Sequence, residues 1–226
     1  YRSEEIKNLQ HEALRNEVEL NNLKAQLNPH FMFNSMNSIR ALIDEEPNKA
    51  KDAVTQLANL LRSTLLTGKK KLISFSEELK LVKDYLALEK IRYEERLQIV
   101  FEIDSKVNSA AVPPLMLLTL VENGIKHGIS HLPKGGKLKI AAFERKNYIE
   151  ICILNSGVYN PNNNNKGTHI GIVNTRKRLQ LLFGNKSRFT IENIPDNNTT
   201  IVKTQVLLPL ANKNQTKIRK NARISN

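Results

Sequence analysis

The apolar residues of this chain change their spacing near residue 96, and that change constrains the fold more than any other feature. Up to that point they recur every three or four residues, the stripe of an amphipathic helix. Beyond it Leu97, Ile99, Phe101 and Ile103 alternate with polar or outward positions, as on a half-buried strand. The expected class is therefore α+β, a helical N-terminal region followed by a region built on a sheet. With 226 residues, 40% hydrophobic and 25% charged, the chain suits one large or two small domains with a sizeable core.

In the helical part, Ile6, Leu9, Ala13, Leu20, Leu23 and Leu27 keep the seam of a coiled coil, interrupted by Asn16. A polar seam residue fixes register and oligomer state, which predicts a parallel homodimer. Pro29 removes a backbone donor and should loosen or kink the helix just before His30. Over residues 23–43 a helical wheel sets His30, Asn34, Asn37 and Ala41 on one side. Phe31, Met32, Met36, Ile39, Leu42 and Ile43 fall on the opposite arc. Burial of that arc would present the His30 imidazole to solvent with the Asn34 amide one turn further on. The acidic residues 44–46 and Pro47 close this helix, and Val54, Leu57, Leu61 and Leu65 give a second helix its apolar face. Two such αα-hairpins in a dimer would make a four-helix bundle displaying the histidines outside.

The remainder reads as helices and strands. Ser74 followed by Glu77 has the form of a capping box, opening a helix to about Glu95; Pro113-Pro114 opens another that runs through His127. Residues 137–144 and 148–154 predict one hairpin, residues 188–193 and 200–208 a second. Between them lie an Asn- and Gly-rich loop, residues 160–167, read as a flexible lid, and a helix over residues 170–183. The predicted organisation is a coiled coil and hairpin over residues 1–68, a helix-and-mixed-sheet sandwich over 69–210, and a basic tail over 211–226.

The net charge of +13 points to an anionic partner and is unevenly spread. The tail carries Lys213, Lys217, Arg219, Lys220 and Arg223 without an acid. Lys69, Lys70 and Lys71 form a second cluster; Lys134, Lys137 and Lys139 form a third, near Gly135-Gly136, where a nucleotide phosphate would be favoured. No nucleic-acid reading motif accompanies the charge, so direct nucleic-acid binding is not expected. The one cysteine, Cys152, excludes an internal disulfide, and its apolar neighbours predict a buried thiol. No apolar run reaches the roughly 18 to 20 residues of a membrane span. The start at Tyr1, already inside a helical pattern, reads as the beginning of a fragment.

Residues 23–39, the helix bearing Tyr85-Leu86 and Glu89-Lys90-Ile91-Arg92, the segment Val121-Glu122-Asn123-Gly124-Ile125-Lys126-His127-Gly128, and Asn174-Thr175-Arg176-Lys177-Arg178-Leu179 occur in one order. Together they resemble the LytS/YehU-like sensor histidine kinases. The resemblance implies a dimeric phosphoacceptor hairpin joined to a Bergerat-type ATP-binding sandwich, with ATP and Mg²⁺ as cofactors. It further implies phosphoryl transfer to an aspartate of a response regulator, of LytTR type in some relatives. The parent chain would be anchored in a bacterial inner membrane, with this part cytoplasmic.

On that resemblance His30 is the phosphoacceptor. A neutral imidazole is the nucleophile such a transfer needs, and an unperturbed ring is largely neutral at cytoplasmic pH. Asn34 would orient the phosphate or the water that removes it. Many histidine kinases place an acid directly after the phosphoacceptor; Phe31 stands there instead, and Gln26 cannot serve as base because an amide does not titrate. Asn123 resembles the asparagine that ligates Mg²⁺, and Lys126 and His127 follow where they would add positive charge near the phosphates. Glu122 would activate water or steady a neighbouring group. The segment Asn155-Ser156-Gly157-Val158-Tyr159 stands where relatives carry Asp-x-Gly-x-Gly, Asn155 replacing the aspartate that accepts from the adenine amino group. Gly167-Thr168-His169-Ile170-Gly171 stands for Gly-x-Gly-x-Gly, keeping Gly167 and Gly171 and adding a Cβ at His169. These departures support a competing expectation, a non-catalytic dimeric signalling scaffold with a degenerate nucleotide site.

Overall fold

A computed structural model describes residues 29–68, 70–160, 170–196 and 199–210. The coiled-coil seam, Gln26, Gly167, His169, most of the Asn-rich loop and the basic tail lie outside the described residues. The chain divides into two compact units, Tyr1–Lys69 and Lys70–Asn226.

The first unit is a helical hairpin. Helix α1 (Pro29–Glu45) is followed directly by α2 (Pro47–Gly68), with Pro47 at the first helical position, where its missing N–H matters least and its fixed φ suits the turn. The buried stripe of α1 is Phe31, Ser35 and Ile39, narrower than the expected arc: Met36 and Ile43 are exposed. On α2 the buried positions are Ala50, Ala53, Leu57, Leu60 and Thr64, a face turned from the one expected, so that Val54 is exposed. Small residues at Ala50 and Ala53 let the helices approach closely, which the larger Val54 would prevent. Buried Thr64 satisfies its hydroxyl by donating to the Leu60 carbonyl at 2.8 Å.

In the second unit, β1 (Ile73–Ser74) pairs antiparallel with β3 (Ala111–Val112), a small ladder that the sequence reading missed. Helix α3 (Phe75–Tyr93) begins at the expected capping box. Glu77 N–H donates to Ser74 Oγ at 3.2 Å, and Ser74 N–H donates to Glu77 Oε2 at 2.9 Å. Strand β2 (Leu97–Ile103) runs parallel to β4 (Gly136–Arg145); β4 then pairs antiparallel with β5 (Tyr148–Ser156), β5 with β7 (Thr199–Pro209), and β7 with β6 (Arg188–Asp196). The five-stranded order is β2-β4-β5-β7-β6. Both predicted hairpins are present, each extended at its ends.

Helices α4 (Met116–His127) and α5 (Ile170–Phe183) complete the layer of the sandwich that also contains α3. Period-two alternation sends Ile149, Ile151, Ile153 and Asn155 of β5 to the buried face, joined by Leu138, Ile140, Val206 and Leu208 of the neighbouring strands. Cys152 lies in the opposite register and is half-exposed, correcting the expectation of a buried thiol. Its pKa is raised, first by desolvation and then by the neighbouring Glu150 carboxylate. The buried row of β5 therefore ends in a polar residue, Asn155, where the strand meets α4.

Candidate functional site

Helix α4 owes its position to a buried acid. Glu78, fully buried on α3, accepts from the backbone N–H of Leu115 at 2.8 Å and of Leu118 at 3.2 Å at the start of α4. Its pKa is pushed up to about 7 because desolvation outweighs these hydrogen bonds and the Arg178 charge. Arg178 Nη1 on α5 donates to Pro114 O at 2.7 Å, so both flanking helices hold the entry to α4. Leu115 takes a left-handed conformation, φ 60°, to turn the chain from Pro113-Pro114 into the helix.

Further along α4, Leu117, Val121 and Ile125 are buried, while Asn123 and His127 are half-buried. Asn123 and His127 line a cavity of about 130 Å³ together with Asn155, Tyr159 and His131. Its apolar wall includes Leu120, Val158, Ile172, Ile191 and Val202. Against the roughly 300–1,000 Å³ of a whole small-molecule site, that volume suits one part of a ligand.

Glycines shape the floor of this cavity. A Cβ at Gly128 would lie 2.4 Å from Asn155 Nδ2 and 2.5 Å from Ser156 O, and one at Gly124 would lie 3.0 Å from Asn155 Oδ1. Gly157, at φ +124°, brings β5's exit against Gly128, where its Cβ would lie 2.7 Å from Gly128 Cα. These close approaches make the slot in which Asn155 is seated, 4% exposed. Asn155 Nδ2 donates to Ser156 O at 3.1 Å, which leaves Oδ1 as the acceptor. Asn123 is oriented likewise: its Nδ2 donates to Thr119 O at 2.8 Å, leaving the carbonyl oxygen for a ligand. Gly171 approaches the same point on α4, its hypothetical Cβ being 2.9 Å from Thr119 Cγ2 and 3.3 Å from Asn123 Nδ2.

Asn123, His127, Asn155, Gly157 and Gly171 are thus gathered around one end of α4. Lys126 is exposed and does not line the cavity, although its spacing of three residues from Asn123 leaves it on a neighbouring stripe of the helix. Glu122 turns toward α3, where its charge helps raise the pKa of Tyr85 and Glu89, for both of which burial is the larger cause. Sequence reasoning missed His131 and Asn193. Asn193 clamps Tyr159 at the cavity wall: Tyr159 N–H donates to Asn193 Oδ1 and Asn193 Nδ2 donates to Tyr159 O, each at 2.8 Å. The signal for His131 was its spacing of four residues after His127; nothing local to Asn193 foretold its partner on a distant strand.

In the hairpin unit His30 is exposed and Asn34 half-buried. The Asn34 amide nitrogen lies 3.1 Å from His30 Nδ1 and 3.4 Å from Nε2. Among the described residues no group of three or more His, Cys, Asp or Glu side chains could hold a metal ion. No described helix is long and apolar enough to cross a membrane.

Known proteins resemble the chain across both of its units. The family described as Histidine kinase matches residues 18–97. Sensor protein LytS of Staphylococcus epidermidis is 33% identical over 190 residues, 79% of this chain and 32% of that protein. Over most of its length the chain is similar to the LytS-like sensor histidine kinases. Sensor histidine kinase YpdA of Escherichia coli is 32% identical over 179 residues, covering 76% of this chain and 32% of its own length. This chain spans about a third of the length of the curated relatives it matches. A solved catalytic domain of histidine kinase ThkA, in a nucleotide-free form, aligns with a TM-score of 0.46 at 18% identity, over 62% of this chain and 94% of that one.

Proposed function

We propose that this chain is the kinase region of a two-component sensor, which transfers the γ-phosphoryl group of Mg-ATP to His30 and from there to an aspartate on a response regulator. The observation that carries the reading is the cavity at the end of α4, lined by two carboxamide side chains, Asn123 and Asn155, above a glycine floor.

Residue roles follow from chemistry. Asn155 Oδ1 would accept from the amino group of the adenine, taking the place of a carboxylate without its charge. His127 would border the base or its sugar, and Gly157 and Gly128 would let backbone approach it closely. Gly167 and Gly171 would flank the phosphates, Gly171 at the start of α5, whose N–H groups favour anions. Lys126, exposed beside the site, would add long-range attraction for phosphate rather than a fixed contact.

The Asn123 carbonyl fits Mg²⁺. It is a hard oxygen donor with its amide nitrogen already engaged, and Mg²⁺ commonly takes few protein ligands, completing its shell with phosphate oxygens and water. When bound, the ion would neutralise charge on the transferring phosphoryl group. His30, exposed on α1 with Asn34 beside it, offers the nucleophile. The large apolar side chains left exposed on the hairpin, Phe33, Met36, Ile43, Val54 and Leu66, support a homodimer of hairpins. We assign the hairpin with its preceding coiled coil to residues 1–68, the nucleotide-binding domain to 69–210 and the tail to 211–226, in a parent protein anchored in the bacterial inner membrane. A LytTR-type regulator is the partner that the resemblance favours.

Incubation with γ-labelled ATP and Mg²⁺ tests the assignment. Acid-labile, alkali-stable label on the natural chain and none on His30→Gln is expected; label persisting in the variant would sink His30 as acceptor. The uncharged Asn155 favours a second reading, a scaffold that has the fold but no useful nucleotide binding. Tight Mg-dependent ATP binding would exclude it.

A further inference from the structure

Strands β5, β7 and β6 lie side by side, and their register sets Asn155, Val202 and Asn193 in one row across the sheet. Directly paired residues share a face, so Asn193 stands on the side of the sheet that carries the cavity. Asn155 and Val202 line that cavity, as does Ile191, two residues before Asn193 on the same face of β6. The chain that leaves β5 runs across these strands. Gly157 N–H donates to Thr200 O on β7 at 3.4 Å. Two residues later the Asn193 carboxamide holds both backbone groups of Tyr159, accepting from its N–H and donating to its carbonyl, each at 2.8 Å. An amide that accepts and donates in this way stands in for a neighbouring strand in a ladder. It holds residues 158–160 as a strap, and all three line the cavity. Val158 is 63% exposed, apolar area that an entering ring would cover.

We propose that Asn193 is a positioning residue for the purine ring: its two hydrogen bonds seat the strap so that residues 158–160 form the wall against which the base packs. The inference rests on the reading that this cavity takes the base of ATP. Asn193 does not itself touch the nucleotide; it acts through the Tyr159 backbone. A strap seated in only a fraction of the molecules lowers the apparent affinity by that fraction. The two asparagines at the ends of the row therefore divide the recognition of the base, Asn155 lining the cavity and Asn193 fixing its wall. Because the clamp is solvent-exposed, water replaces its bonds when it opens, and it acts on the wall more than on the stability of the fold.

Calorimetric titration of the whole chain with Mg-ATP and, separately, with ADP tests the role. Asn193→Leu, similar in size and unable to hydrogen-bond, should weaken both by the same factor, roughly tenfold or more, because the two ligands share the base. Asn193→Asp separates positioning from general loosening. When ionised, its carboxylate accepts from Tyr159 N–H but brings no proton to the Tyr159 carbonyl; when protonated, it accepts and donates as the amide does. The affinity of Asn193→Asp is taken as a ratio to that of the natural chain at each pH, from which titration of His127, His131 and the phosphates cancels. That ratio should rise about twofold or more as pH falls from about 8 to about 4.5, the carbonyl favouring the neutral acid, while the ratio for Asn193→Leu stays flat. Binding of both nucleotides by Asn193→Leu within twofold of the natural chain would overturn the proposal. So would a loss for Mg-ATP alone, which would place the effect at the phosphates, or a flat ratio for Asn193→Asp. A natural chain that bound neither nucleotide would sink the reading of the cavity and this role with it; against a natural chain that binds, the other outcomes sink the role alone.

Discussion

The hairpin and the sheet unit satisfy their apolar residues in different ways. In the sheet unit Phe75, Leu86, Leu97, Leu117, Ile140 and Ile151 are fully buried, and the core is closed by the unit's own layers. In the hairpin the shared interior is made of Phe31, Ile39, Ala50, Ala53, Leu57 and Leu60, while Phe33 remains 64% and Leu66 65% exposed. A unit with its own core can hold a ligand cavity against water. The hairpin instead presents an exposed histidine beside exposed apolar side chains and, on the proposed homodimer, would draw stability from association. On the proposed function, the two halves of the phosphoryl transfer, binding and acceptance, would rest on different sources of rigidity.

The largest test of that contrast strikes the cavity floor. Gly128→Ala would set a methyl 2.4–2.6 Å from Asn155 Nδ2, Ser156 O and Gly124 O, of which the two backbone oxygens can withdraw only if the backbone shifts. Nucleotide binding, followed by calorimetry, should be lost, and overpacking should lower stability by about 3 kcal/mol. Unchanged affinity would mean that the floor does not shape the site. Next, Leu117→Ala in the sheet unit should cost about 2–5 kcal/mol, and Leu57→Ala in the hairpin less, because a looser interface collapses more easily around the lost atoms. The hairpin's melting temperature should also rise with protein concentration while the sheet unit's does not. Equal losses and two concentration-independent transitions would break the comparison.

How legible these features were in the sequence follows the same division. Both hairpins of the sheet are located by their strand and turn residues, but Cys152 reads as buried although it lies one residue out of register with the buried row of β5. The capping box at Ser74 and Glu77 located the start of α3 because its chemistry is local. The hairpin faces were misjudged at Met36, Ile43 and Val54. Large apolar residues were presumed to be inside, whereas close helix packing selected Ala50, Ala53 and Ser35. At the site, Asn123 and Asn155 could be singled out by motif, but their meeting depends on Gly124 and Gly128 lying across from β5. The Tyr159–Asn193 clamp joins positions 34 residues apart and leaves no local trace.

A smaller effect sharpens the account of how α4 is held. The Glu78 carboxyl has a folded pKa of about 7 against an ordinary 4.5, raised chiefly by burial. The folded state therefore binds the proton more tightly than the unfolded one. The stability this confers is present below about pH 4.5 and lost as pH rises through about 7. Denaturation of the sheet unit should show a loss on the order of 2 kcal/mol between pH 5 and 8, each tenfold in proton affinity being worth about 1.4 kcal/mol. Glu78→Gln should flatten that slope, and the hairpin transition should lack it. A slope retained in the variant would move the titration to another buried group such as Glu89, which burial also raises.

The smallest effect belongs to the surface. Ser74 accepts from Glu77 N–H and Glu77 accepts in return from Ser74 N–H, while Lys70 Nζ donates to Glu77 at 3.1 Å. These bonds lower the Glu77 pKa to about 2, the Ser74 backbone hydrogen bond foremost. Because Glu77 is solvent-exposed, water screens most of that shift from the stability of the fold. Ser74→Ala should cost about 1 kcal/mol, the usual value of a helix cap, and should register in the urea midpoint of the sheet unit alone. Nucleotide affinity should stay within twofold, because the core of Phe75, Leu79 and Val82 holds α3 after its first turn loosens. A loss of affinity would mean that the first turn of α3, through Glu78 and the start of α4, is tied more rigidly to the cavity than a self-sufficient core requires.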